Sequence, residues 1–149
     1  MNRHRIDSDQ ALLEALHHRG QRVTTQRVVL YRALRELDRH LTAEQLLAAV
    51  ADRLPALSLP TVYATLDLFE ELDLVHRVPV PGGPLLYDPR AEPHHHLACR
   101  RCGRVEDLDC PLDARPAVAA AGERGWDVAD VTAVLSGTCP TCRNEGRVL

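Results

Sequence analysis

The sequence predicts an α+β chain of two lobes, a helical lobe closed by a β-hairpin and a smaller lobe that carries the cysteines. Three observations predict it. Four helix-like segments follow one another before residue 75, two β-prone runs flank Pro81-Gly82-Gly83-Pro84, and all five cysteines lie beyond the stretch Asp88-Pro89-Arg90-Ala91-Glu92-Pro93. That stretch has two prolines and no hydrophobic period, the composition of a linker.

The elements follow in order. Gln10 to His18 carries Leu12, Ala15 and Leu16 at helical spacing and stops at Gly20, a glycine suited to a helix C-terminus. Thr24 is placed to cap a second helix running to Leu37, with Val28, Leu30, Tyr31 and Leu34 on one face. Thr42-Ala-Glu-Gln45 fits a capping box and opens a third helix ending near Leu54-Pro55. A fourth starts at Leu57-Ser58-Leu59-Pro60, where proline suits the first turn, and presents Leu59, Val62, Leu66 and Phe69. Leu74 to Val80 and Leu85 to Tyr87 then read as a hairpin. Helices followed by such a hairpin outline a winged helix-turn-helix, whose helix before the wing enters the DNA major groove. Past the linker, strands are expected at His94–Cys99, Arg104–Leu108 and Val128–Leu135, with a helix near Ala114–Arg124.

Composition excludes several classes of function. Of 149 residues, 45% are hydrophobic and 26% charged, which is globular usage and excludes a disordered or fibrous chain. Aromatics at 3% leave no platform for stacking single-stranded bases. A net charge of −3 argues against coating nucleic acid through bulk charge, yet Arg19, Arg22, Arg27, Arg32 and Arg35 form a run without an acid between His17 and Arg35. No apolar stretch reaches the ~18–20 residues that span a bilayer, and MNRHRIDSDQ has no hydrophobic region behind its basic residues. A cytoplasmic location is expected, and there cysteines serve better as metal ligands than as disulfides.

The cysteine spacing is the most specific signal. Cys99-x-x-Cys102 and Cys139-x-x-Cys142 offer four thiolates to one tetrahedral zinc, a closed and therefore structural site. Cys110 is left over. Just before the first pair stands His94-His95-His96; in a strand His94 and His96 share one face while His95 and Cys99 share the other. The His-x-His pair is thus separated from the thiolates and reads as part of a second metal site. Asp88, Glu106 and Asp107 are carboxylates within reach, and imidazole with carboxylate suits Fe(II), Mn(II) or Zn(II).

The run His94-His-His-Leu-Ala-Cys-Arg-Arg-Cys-Gly103, with Cys139-Pro-Thr-Cys142, Val23-Thr-Thr-Gln-Arg27 and Pro60-Thr-Val-Tyr63, resembles the ferric uptake regulator family of bacterial metal-dependent repressors from about residue 10 to 143. The resemblance implies a homodimer with a winged-helix DNA-binding domain over residues 1–88, a hinge at 89–93 and a zinc-stabilised α/β dimerisation domain over 94–149. It also implies a regulatory metal held by His40, Asp88, His94, His96 and Asp107. Two aspartates in that set resemble the peroxide-sensing branch most closely, and the family pattern then implies oxidation of a ligating histidine, His40 or His94, by peroxide. Reversible sensing of iron, manganese or zinc is the alternative. No cysteine occurs between Phe69 and His96, where zinc-sensing relatives place one, and His95 has no evident partner.

On this reading the DNA partner is a palindromic, A/T-rich operator. Ala64 follows Tyr63 where many relatives carry arginine, so base readout is expected from Thr61, Tyr63 and Thr65 through contacts such as thymine methyls, with Arg19 and Arg22 on phosphates or an A·T-rich minor groove. A zinc-dependent hydrolase using the His/Asp site is the remote alternative, since no HExxH motif or nucleophile-base pair occurs.

Overall fold

A computed structural model describes residues 8–146; residues 1–7, which include most of the basic N-terminal segment, and residues 147–149 lie outside it, as do the corresponding ends of the two expected domains. The element order is α1 (Ser8–His18), α2 (Thr25–Leu37), α3 (Ala43–Val50), α4 (Leu59–Glu71), β1 (His76–Pro79), β2 (Leu85–Asp88), β3 (His95–Cys99), β4 (Val105–Leu108), α5 (Arg115–Glu123), β5 (Val134–Gly137) and α6 (Pro140–Glu145). The chain divides into two compact units, one made of residues up to Val78 with Pro84–Ala91, the other of Pro79–Gly83 with residues from Glu92 onward.

In the first unit the helix starts follow side-chain chemistry. Thr24 Oγ1 accepts from Arg27 N at 3.3 Å, and Thr42 and Gln45 form a reciprocal capping box at 3.0 and 3.1 Å. Ser58 caps α4, with Pro60 in its first turn. The apolar faces meet in one core of Leu12, Leu16, Leu30, Leu34, Val62, Leu66, Phe69 and neighbours. Each fully buried leucine or phenylalanine there contributes about 1.5–3 kcal/mol relative to exposure. Tyr31 and Phe69 pack edge to face at 5.7 Å between centroids. β1 and β2 make a two-stranded sheet, the hairpin expected after the helices. Gly82, at φ 73°, occupies the left-handed position of the turn, and Gly83 N donates to Val80 O at 2.9 Å. The architecture is α+β, with α3 and α4 as a helix-turn-helix and the hairpin as wing.

The second unit is a three-stranded sheet in the order β4-β3-β5, antiparallel between β3 and β4 and parallel between β3 and β5. The strand expected at Val128–Leu135 lies instead at Val134–Gly137, where it pairs with β3 from His96↔Val134 to Cys99↔Gly137. α6 was not foreseen; it begins immediately after Cys139 and carries Cys142. α5 buries none of its residues within the chain.

Candidate metal centres

Strand pairing brings the four cysteines together. Cys99 ends β3, and Gly103 at φ 74° turns the chain back so that Gly103 N donates to Cys99 O at 3.0 Å and Cys99 N to Arg104 O at 2.9 Å. The parallel register sets Gly137 beside Cys99, which delivers Cys139 and Cys142 to the same end of the sheet. One sulfur from each lies within 4.8 Å of the others, with Cys102 Sγ and Cys139 Sγ at 3.8 Å. Four sulfurs at ~2.3 Å in a tetrahedron around zinc stand about 3.8 Å apart, so the cluster fits the ion.

The electrostatics agree. Backbone N–H groups of Cys139 and Cys102 point at Cys99 Sγ, the former at 3.3 Å, and draw its pKa down to about 6. Cys142 is pushed up to about 12, first by Cys139 and then by burial, because thiolates this close cannot all ionise without a cation. Arg101 Nη1, on the first knuckle, donates to Cys142 O at 2.7 Å on the second.

The remaining expected ligands fall into a pair in the first unit and a trio in the second. Leu41 and Tyr87 form an isolated antiparallel bridge, each N–H donating to the other's carbonyl at 3.0 and 2.8 Å. In an antiparallel pair the residues before one partner and after the other also face each other, and His40 Nε2 lies 3.2 Å from Asp88 Oδ2. Asp88 is 3% exposed, and its other oxygen accepts from Arg90 N at 2.8 Å.

In the second unit the β3–β4 register sets His96 opposite Asp107, and alternation puts His94 on the same face, their rings 4.5 Å apart. His94 Nε2 is 3.2 Å and His96 Nε2 3.9 Å from Asp107 Oδ1. His94 Nδ1 lies 2.8 Å from Glu92 O; a carbonyl only accepts, so Nδ1 carries the hydrogen. Nε2 is thereby the ring nitrogen turned toward the Asp107 carboxylate, the nitrogen that a bound cation would use. Two buried imidazoles and an exposed carboxylate on one face of the strands fit Fe(II), Mn(II) or Zn(II). His95 points away: its Nδ1 accepts from Ala133 N at 3.1 Å, which gives it a structural role as a tie between β3 and the segment before β5. Glu106 pairs with Arg104 at 2.6 Å, and Cys110 lies outside both ligand groups.

Arg19 and Arg22, between α1 and α2, and Tyr63 on α4 are exposed, and Thr61 is half-buried. Arg19 Nη2 reaches Glu71 O at 3.3 Å. Thr65, expected among the exposed base-reading residues, is buried, and its hydroxyl donates to Thr61 O at 2.9 Å, one helical turn back. Sequence reasoning also missed Glu44, whose carboxylate accepts from Tyr63 OH at 3.1 Å; a pair 19 residues apart on two helices leaves no sequence signal.

The model of the ferric uptake regulator family matches residues 18–135. The chain belongs to the ferric uptake regulator family. Among its relatives, ferric uptake regulation protein 1 of Mycolicibacterium fortuitum is 31% identical over 130 residues, covering 87% of this chain and 80% of the relative. The peroxide-responsive repressor PerR of Staphylococcus epidermidis is 26% identical over 134 residues, 90% of this chain and 89% of that protein. Among solved structures, a ferric uptake regulator from Pseudomonas aeruginosa with manganese superposes with a TM-score of 0.65 at 26% identity, covering 91% of this chain and 99% of that one. Family members are transcriptional regulators, not enzymes, and the hydrolase alternative falls with that assignment.

Proposed function

We propose that this chain is a peroxide-sensing repressor in which His40 and Asp88 of the first unit and His94, His96 and Asp107 of the second hold one Fe(II) or Mn(II), beside a structural zinc on Cys99, Cys102, Cys139 and Cys142. Its family gives the outline: ferric uptake regulators are metal-dependent, dimeric DNA-binding repressors. The convergence of His94 and His96 on Asp107 carries the reading, their Nε2 atoms 3.2 and 3.9 Å from Asp107 Oδ1 and His94 Nδ1 held by Glu92 O.

Two further points support a shared ion. Neither the pair nor the trio alone supplies the five or six donors that Fe(II) and Mn(II) prefer, and Asp88 and His94 are joined by only five intervening residues. In this reading residues 1–88 bind DNA, 89–93 act as the hinge and 94–149 dimerise. The partner covers apolar side chains that this chain leaves exposed, among them Leu97, Leu135, Val118 and Trp126. The site of action is the cytoplasm, where the cysteines stay reduced; among the described residues no helix is long and apolar enough to cross a membrane.

His40 acts as the coupling residue. Ligation by His40 and Asp88 ties the DNA-binding unit to the dimer core, so that both α4 helices reach successive major grooves of a palindromic, A/T-rich operator. Because the closed arrangement binds the ion preferentially, occupancy raises operator affinity and operator raises metal affinity by the same factor. Fe(II), when bound, supplies the reaction with peroxide that adds an oxygen to a ligating histidine. His40 and His94 are the targets, and loss of either as a ligand releases the operator.

Mass spectrometry of the Fe(II)-loaded protein after stoichiometric hydrogen peroxide tests this, with Mn(II)-loaded protein as control. The expected result is a gain of one oxygen on peptides containing His40 or His94–His96 in the iron form alone. Unmodified iron protein that still binds operator only when metal-loaded would make the chain a reversible iron or manganese regulator, as the name of the M. fortuitum relative suggests.

A further inference from the structure

We infer that Glu44 is a specificity-determining positioning residue: it fixes the Tyr63 side chain on the DNA-facing surface, so that Tyr63 reads bases through its apolar ring and not through its hydroxyl. This inference rests on the repressor reading above. It concerns only the first unit.

Glu44 is the second residue of α3 and Tyr63 the fifth of α4, the two helices of the helix-turn-helix. Both side chains are exposed, and the Tyr63 hydroxyl donates to Glu44 Oε1 at 3.1 Å. An exposed tyrosine otherwise samples several rotamers and can offer its hydroxyl to any phosphate. Here the hydroxyl hydrogen is committed within the protein. The same holds for its neighbours: Thr61 Oγ1 pairs with Ser58 Oγ at 2.9 Å, and Thr65 Oγ1 donates to Thr61 O at 2.9 Å.

All three hydroxyls on this part of α4 therefore have internal partners, and Thr61 to Ala64 includes no charged side chain. What the helix start offers to DNA is the Tyr63 ring, the Thr61 methyl and Ala64, a surface suited to the 5-methyl group of thymine. A carboxylate beside that surface is held ionised by its own backbone N–H and by Tyr63. It repels phosphates, so it weakens general DNA binding. Its benefit is in orientation of the ring, and its signature is discrimination between sequences.

The test uses a duplex enriched from a random pool by the Mn(II)-loaded full-length dimer, the same duplex with deoxyuridine for every thymidine of the enriched half-sites, and a scrambled duplex. Wild-type protein should bind the thymidine duplex more tightly than the deoxyuridine one by about fourfold for each methyl contacted, equivalent to ~0.8 kcal/mol. Glu44→Ala should lose that discrimination while binding scrambled DNA at least as tightly as wild type. Glu44→Gln keeps an acceptor oxygen and should keep the discrimination. Tyr63→Phe removes only the hydroxyl and should reproduce Glu44→Ala, which keeps the test decisive if the alanine variant folds poorly.

Wild-type ratios in Glu44→Ala or Tyr63→Phe would overturn the assignment, as would wild-type protein indifferent to deoxyuridine, or Glu44→Gln behaving like the alanine variant. Wild-type protein that enriches no duplex would overturn the repressor reading and this inference together.

Discussion

Removal of zinc from the full-length chain should unfold the second unit and leave the first folded. Among the described residues of the second unit, the buried side chains are Ala98, Cys99, Cys142, His94 and His96, and Val105, Leu108, Ala133 and Val134 are only half-buried. Their apolar burial is worth on the order of a few kcal/mol. A structural four-thiolate zinc supplies about 10–16 kcal/mol at neutral pH, comparable to the ~5–15 kcal/mol total stability of an ordinary domain. Without the ion, β3, β4 and β5 have too little burial to offset the chain entropy. The first unit has its own core from Leu12 to Tyr87 and does not depend on it. Hydrogen exchange followed by mass spectrometry resolves the two. In chelator-treated protein, amides of residues 95–108 and 134–145 should exchange at the rate of an unfolded chain, while α2 and α4 keep their protection. Zinc-free strands that retained full protection would refute the reasoning.

Three other outcomes follow from the same geometry. Zinc uptake by metal-free protein at pH 7.5 should release protons: in the unfolded second unit the cysteine thiols, with an ordinary value near 9, are mostly protonated, and zinc takes them as thiolates. Zinc binding without proton release, read with an indicator dye in weak buffer, would contradict this. Phe69→Ala, at a fully buried position against Tyr31, should cost about 3–5 kcal/mol in the urea transition of the first unit; a loss below ~1 kcal/mol would show that the site collapses around the cavity. Ser58→Ala removes the cap of α4 and should lower that same transition by about 1 kcal/mol, against no change if the cap is idle.

Much of the first unit was legible because its signals are local. Thr24, Thr42 and Ser58 cap the helices they precede, and proline and glycine mark the turn between β1 and β2. The His94/His96 face and the two CxxC pairs follow from strand alternation and ligand spacing, which sequence displays directly. Features that depend on a distant partner were not legible. β5 begins at Val134 because β3 sets the register, although the apolar residues from Val128 onward suggest an earlier start. Thr65 turns inward because α4 buries Val62, Thr65, Leu66 and Phe69 on one face, a stripe into which a threonine fits once its hydroxyl bonds back to Thr61. His95 found its partner in a backbone N–H 38 residues away, and Glu44 found Tyr63 on another helix.

The central claim is that occupancy of the His/Asp ligand set controls operator affinity. The most direct measurement is an operator-binding isotherm of zinc-replete protein with and without Mn(II), for wild type and for His40→Ala. The account predicts tight binding by wild type only with Mn(II), and weak, metal-independent binding by His40→Ala at unchanged zinc content. Equal affinity of wild-type protein with and without Mn(II), or an undiminished Mn(II) response in His40→Ala, would contradict it.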